Sequence, residues 1–198
     1  KAFQFMRSDD PRTKKDGDNY IPSDQLFVEG LNGEKVNFKK ARRFTRSEMM
    51  IMEMLSQNKW QRPIYFAVTV GNDYYLGLEP YFELTGLAYR ITPVRSADGQ
   101  PRVNTELMYD NMMNKFKYGN MDVPGIYIDE NLMRMCRTHR MMFMQLAEAL
   151  YHEGKADSCK QVLDFAEQVL PEYNVPYDYT SASMAGLYYA LGEVDKAN

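Results

Sequence analysis

Residues able to do chemistry are few in this chain. His139 and His152 are its only imidazoles. Both fall on one predicted helix, where thirteen residues of separation put them roughly 20 Å apart along the axis and on different sides. They cannot share a metal ion. Cys136 and Cys159 stand in no CxxC or Cys/His metal spacing. They read as unpaired small core residues, with a single disulfide left open if the compartment is oxidising. No Ser or Cys stands in a nucleophile elbow, and no phosphate loop of the P-loop or Rossmann kind occurs. The acidic pairs Asp9-Asp10 and Asp129-Glu130 are adjacent, the pattern of a solvated turn or a helix start, although carboxylates distant in sequence could still meet. The expectation is a chain with no catalytic residue, no cofactor and no metal.

Binding features are more evident. Lys39-Lys40-Ala41-Arg42-Arg43-Phe44-Thr45-Arg46 holds five positive charges in eight residues. It could meet anionic headgroups or a phosphate, but a solvated connection is the simpler reading. Arg134, Arg137 and Arg140 form a stripe at i, i+3, i+6 that either pairs with acidic residues of a neighbouring element, the reading we favour, or binds a partner. Trp60, Tyr65, Tyr74, Tyr75, Tyr81 and Tyr89 could stack on sugar rings, and an aromatic core around two strands would explain them as well. Arg134, Arg137, Arg140, Trp60, Tyr74 and Tyr75 are the candidate binding surface.

The elements that must position these residues divide the 198-residue chain in two, at about residue 127. The net charge of −3, from 24 basic and 27 acidic residues, argues against a nucleic-acid binder held by global charge. Fifteen Met residues point to an adaptable core or a sticky surface, core filler being the plainer reading. The strongest apolar run, Ile64 to Val70, is far shorter than the roughly 20 residues of a spanning helix. The chain starts without a Met and ends inside a predicted helix pair, so it is expected to be a piece of a longer protein. Residues 1 to 35 are polar and turn-rich, with a short strand near Leu26 to Val28 and a hairpin around Asn32-Gly33. A helix capped at Thr45 or Ser47 carries Met49, Met50, Met52, Met54 and Leu55, apolar most of the way round and therefore expected to be buried on more than one side. Pro63 ends it. Ile64–Val70 and Gly86–Val94 read as strands, with a short helix at Tyr81-Phe82 between them. A helix is expected over residues 104 to 117 and a long one from Asp129 toward Glu153. The fold class that follows is α+β: a small α/β unit over 1–127, then an all-α region over 128–198.

That last region carries a repeat of tetratricopeptide spacing. With Arg140 as position 1, Phe143, Leu146, Ala147, Leu150, Cys159, Leu163, Ala166 and Pro171 fall at positions 4, 7, 8, 11, 20, 24, 27 and 32 of a 34-residue unit. Ala147, Cys159 and Ala166 are small enough for close helix approach, Gly154 occupies the turn, and Pro171 stops the second helix. One full repeat is expected at 140–173 and a truncated second at 178–198. The spacing between them is 38 residues, the extra ones falling in Tyr173 to Tyr177. Two such units alone are fewer than independent stability usually needs.

Several runs resemble a known family. Asn58-Lys59-Trp60-Gln61-Arg62-Pro63-Ile64-Tyr65-Phe66-Ala67, Tyr75-Leu76-Gly77-Leu78 and Gly86-Leu87-Ala88-Tyr89-Arg90 are similar to the soluble C-terminal region of the bacterial protein O-mannosyltransferase-like membrane proteins. So are Met108-Tyr109-Asp110-Asn111, Asn114-Lys115-Phe116 and the closing Gly192-Glu193-Val194-Asp195-Lys196-Ala197. The resemblance implies a non-catalytic periplasmic domain, attached to a multi-pass enzyme of the inner membrane that draws sugar from a lipid-linked donor. It carries over no catalytic residue, because the family's catalytic acid lies between membrane helices. The partner it implies is a protein or peptide acceptor, with a glycan as the alternative and no nucleic acid. A stand-alone tetratricopeptide scaffold is the third reading.

Overall fold

The computed structural model describes residues 27–31, 33–38 and 45–197. The polar stretch 1–26, Asn32 and the basic residues Lys39 to Arg43 lie outside them. The fold is α+β, with short strands first and helices after. Two compact units form it: Lys1–Leu84 with Ala88–Arg102, and Thr85–Leu87 with Val103–Asn198.

In the first unit, β1 (Phe27–Glu29) and β2 (Lys35–Asn37) pair antiparallel, Val28 opposite Val36, and Gly33 takes the left-handed conformation at their turn. Helix α1 (Arg46–Asn58) begins with a capping box: Thr45 Oγ1 accepts from the Glu48 amide, and Glu48 Oε2 accepts from the Thr45 amide at 2.7 Å. This satisfies donors that a helix start otherwise leaves open. Met52 and Leu55 face the core, but Met50 and Met54 are exposed, so the helix buries one side and not several. The reason is sheet size: the two small sheets offer α1 only one apolar surface.

After α1 the chain turns through two consecutive left-handed residues, Lys59 and Trp60. Asn58 bridges the turn, its side chain accepting from the Arg62 amide and donating to the Arg62 carbonyl at 2.6 Å. The Trp60 indole N–H donates to the Glu29 carbonyl at 2.8 Å. Strand β3 (Tyr65–Ala67) is shorter than the apolar run suggests, because the chain folds back in a turn closed by the Val70 amide on the Ala67 carbonyl. A one-turn 3-10 helix, Glu79–Tyr81, leads straight into β4 (Phe82–Leu84), where a short helix at Tyr81-Phe82 is expected from sequence. β5 (Ala88–Ile91) pairs antiparallel with both β3 and β4, and β6 (Arg102–Val103) completes the order β3-β5-β4-β6. Phe66, Tyr75, Phe82 and Tyr89 interlock on this sheet, Phe82 and Tyr89 stacked at 5.3 Å and Tyr75 edge-on to Phe82 at 5.0 Å.

The second unit takes in residues 103–127 as well as the long helices. Helix α2 (Thr105–Tyr109) runs on as one π-helical segment, Asp110–Lys115, in place of a single regular helix over 104–117. Its packing explains why it joins the helices: the Thr105 hydroxyl donates to Glu153 at 3.0 Å and the Tyr109 hydroxyl to Gln161 at 2.7 Å. Tyr118 then packs among Phe143 and Phe165, with ring centroids 5.6 to 6.0 Å apart.

Two successive helix hairpins follow. Helix α3 (Glu130–His152), capped by Asp129, packs on α4 (Ala156–Val169) and on α5 (Tyr179–Ala190), which leads into α6 (Val194–Ala197). Phe143, Leu146, Ala147, Cys159, Val162 and Leu163 are fully buried. The two hairpins turn alike. Gly154 donates to the Tyr151 carbonyl and Lys155 to the Leu150 carbonyl; 38 residues on, Gly192 donates to Tyr189 and Glu193 to Tyr188, all at 2.9 to 3.0 Å. Both glycines have positive φ, which favours a residue without Cβ. Both cysteines are buried and unpaired, with thiol pKa values pushed up by burial. A neutral thiol there is unreactive.

Candidate docking surface

Arg140 does not belong to a surface stripe. It is 3% exposed, and its guanidinium donates to the carbonyls of Leu170 (3.1 Å), Val175 (2.6 Å) and Pro176 (2.8 Å). The Asp178 carboxylate lies 3.8 Å away and Tyr177 stacks over it at 5.8 Å. Burial pulls its pKa below the ordinary value, with Asp178 opposing. Two of the residues it grips, Val175 and Pro176, lie in the Tyr173 to Tyr177 stretch of the loop between the two hairpins. Asn174, in the same loop, donates to the Met121 and Val123 carbonyls at 2.7 Å each. Arg134 and Arg137 are exposed, with Arg134 reaching Asn131 at 3.4 Å. The three arginines therefore do not form one surface, because i, i+3, i+6 drifts around the helix and carries Arg140 inward.

The aromatic candidates also separate. Tyr75 is buried at 5% exposure, its hydroxyl donating to the Val70 carbonyl at 2.8 Å, and its pKa is pushed up by burial. It is core and not a sugar platform. Tyr74, beside it in sequence, is exposed. Trp60 is half-buried and held by its bond to Glu29. A cleft of about 580 Å³ in the first unit has Lys35, Asn37, Phe38, Tyr81 and Arg95 in its walls. The Tyr81 hydroxyl there is already engaged, accepting from the Asn37 amide and donating to the Lys35 carbonyl.

The helix pairs present what the sequence reading did not single out. Helix α5 contains no charged residue along its whole length. Met184 and Tyr188 face inward, while Tyr179, Ala182, Gly186, Tyr189 and Ala190 are exposed, Tyr179 at 88%. Thirty-eight residues earlier, Met141 and Tyr151 of α3 occupy the positions of Tyr179 and Tyr189, and both are exposed too. Equivalent positions of successive hairpins point the same way, so an aromatic and methionine surface recurs from one hairpin to the next. Glu148, within it, lies 4.0 Å from the His152 imidazole. The signal was available: the 38-residue offset and an uncharged stretch from 179 to 190.

Tyr188 anchors this layer from beneath. Its hydroxyl donates to Asp164 at 2.9 Å, and its pKa is pushed far up by burial and by that carboxylate. Asp164 also takes Lys160 at 3.0 Å and pairs with Lys196 of α6. Among the described residues, no group of three or more His, Cys, Asp or Glu could hold a metal ion. Nor is any helix among them long and apolar enough to cross a membrane.

Residues 29–111 match the family model of TMEM260-associated domain 2. The matched stretch is less than half of the chain. It takes in β2, α1 and the four-stranded sheet, including the Trp60 turn and the Tyr75 and Tyr89 packing, and it contains the Asn58 to Arg90 runs that carry the resemblance. No curated protein and no solved structure matches the chain.

Proposed function

We propose that this chain is a non-catalytic docking region of a membrane glycosyltransferase-like protein, and that its helix hairpins are tetratricopeptide-like repeats that receive an acceptor or partner polypeptide. The periplasmic face of an inner membrane is the location that goes with this reading. The observation that carries it is the recurrence of an exposed aromatic and methionine surface, Met141 and Tyr151 on one hairpin and Tyr179 and Tyr189 on the next. Exposed apolar side chains gathered on one face mark a protein-binding site more often than a solvated surface. The match to TMEM260-associated domain 2 supports the membrane-protein context.

A photo-crosslinking amino acid placed at position 141 or 179 of the membrane-bound protein tests this. Adducts to polypeptide are expected from both positions, and few from an exposed control position such as 134. Adducts confined to lipid or glycan would contradict the proposal.

A further inference from the structure

We infer that the cleft of the first unit binds a phosphate-bearing anion, with the Arg95 guanidinium as its main contact. The cleft belongs to that unit alone, and its walls are tied to one another. The Tyr81 hydroxyl accepts from the Asn37 amide at 3.2 Å and donates to the Lys35 carbonyl at 3.1 Å, which fixes β2 to the turn ending at Tyr81. The Ser96 amide donates to the Pro80 carbonyl at 2.7 Å, which brings Arg95 to the same turn. A hollow of about 580 Å³ held in this way is a preformed one. Small-ligand sites generally enclose roughly 300–1,000 Å³.

Charge selects the ligand. The ionic residues of the walls are Glu34, Lys35 and Arg95, two positive to one negative. Neither cation is in an ion pair among the described residues. Lys35 stands opposite Glu29 in the strand pair, yet its ammonium lies over the Phe27 ring at 4.5 Å, a contact that leaves the charge in place. Phe38, also in the wall, is followed in sequence by Lys39-Lys40-Ala41-Arg42-Arg43. These four cations lie outside the described residues and are not counted as contacts. Covalent connection alone keeps Lys39 and Lys40 within about 8 Å of Phe38. Screening at physiological salt acts over about the same distance, so their charge is felt at the wall. An excess of positive charge of this size favours a doubly charged phosphate over a single carboxylate, and a guanidinium fork takes two phosphate oxygens at once. Pro80 and Val94 give the cleft an apolar side for the organic part of such a ligand.

The test uses the 198-residue chain in low salt, with calorimetric titration of inorganic pyrophosphate and of malonate, a dicarboxylate. Pyrophosphate is expected to bind at least tenfold more tightly than malonate. Arg95→Gln should weaken it tenfold or more, with the melting temperature of the free chain unchanged. Flotation with phosphatidylglycerol or phosphatidylcholine vesicles separates the sources of the phosphate. Retention on phosphatidylglycerol alone, lost in Arg95→Gln, supports a lipid headgroup as the ligand. Pyrophosphate binding without vesicle retention supports a soluble phosphate compound. Malonate bound as tightly as pyrophosphate would overturn the choice of phosphate. Binding indifferent to Arg95→Gln but lost when Lys39, Lys40, Arg42 and Arg43 are all changed to Gln would overturn the assignment to the cleft. Binding of neither pyrophosphate nor phosphatidylglycerol would overturn the inference altogether. None of these results bears on the crosslinks at 141 and 179, so the docking reading stands or falls separately.

Discussion

The Arg140 guanidinium donates to the Val175 carbonyl at 2.6 Å, across 35 residues of chain. Through this bond and those to Leu170 and Pro176, a side chain of α3 sets the path of the loop that delivers α5. The connection between the two hairpins is therefore held in place. Arg140→Met leaves three carbonyls without this donor, and we expect a loss of at least about 3 kcal/mol in urea unfolding. Arg140→Lys should recover only part of it, because a compact ammonium cannot span three acceptors as a planar fork does. Equal stability of all three proteins would show the clamp to be incidental.

Ala147 sits fully buried where α3 meets its neighbours. Ala147→Glu forces a carboxylate into that contact and should unfold the second unit, since an unpaired buried charge costs several kcal/mol. Loss of the helical circular dichroism signal at 25 °C is the expected readout. An unchanged melting temperature would mean that the repeat register is misassigned.

The turn after α1 carries left-handed geometry on two residues with side chains, Lys59 at φ 47 and Trp60 at φ 60. Lys59→Gly should relieve strain and raise stability by about 0.5–1 kcal/mol. Trp60→Phe keeps a ring but removes the donor to Glu29, and should cost about 1 kcal/mol. Thermal melts of the two variants moving in opposite directions is the expected result.

Asp164 supplies a pH dependence. Burial alone would raise its pKa, but Lys196, Lys160 and the Tyr188 hydroxyl outweigh that and hold it below the ordinary carboxylate value. A carboxyl depressed in the folded state stabilises fully above its unfolded value of about 4, and that contribution disappears as pH falls through the folded value. Glu153, held down by Lys155 and Thr105 although burial opposes them, acts in the same acid window. The melting temperature should fall below about pH 4, and less steeply in Asp164→Asn than in the parent chain. Identical slopes would exclude Asp164 as a contributor.

Much of this architecture is legible in the sequence because it is local. A helix start capped at Thr45 or Ser47, the turn at Gly154, and the Phe143, Leu146, Ala147 and Leu150 face all follow from spacing within a few turns; the structure selects Thr45 as the cap. What could not be read depends on partners far along the chain. Arg140 looks like any exposed arginine until the carbonyls 30 to 36 residues away are in place. Tyr75 looks like its neighbour Tyr74 until the Phe66 and Phe82 rings close on it. The strand after Pro63 is cut to three residues by a turn at Ala67 to Val70, in a stretch whose β-branched composition signals only strand. The exposed tyrosines of α5 are hidden for a different reason: a tetratricopeptide template is defined by its buried positions.

Hydrogen exchange of the chain with and without an unglycosylated acceptor polypeptide tests the docking claim most directly. Protection concentrated in residues 141–152 and 179–190, where the exposed Met141, Tyr151, Tyr179 and Tyr189 stand, is the predicted result. Protection confined to the sheet around Tyr65 and Tyr74, or none in either hairpin at saturating acceptor, would contradict it.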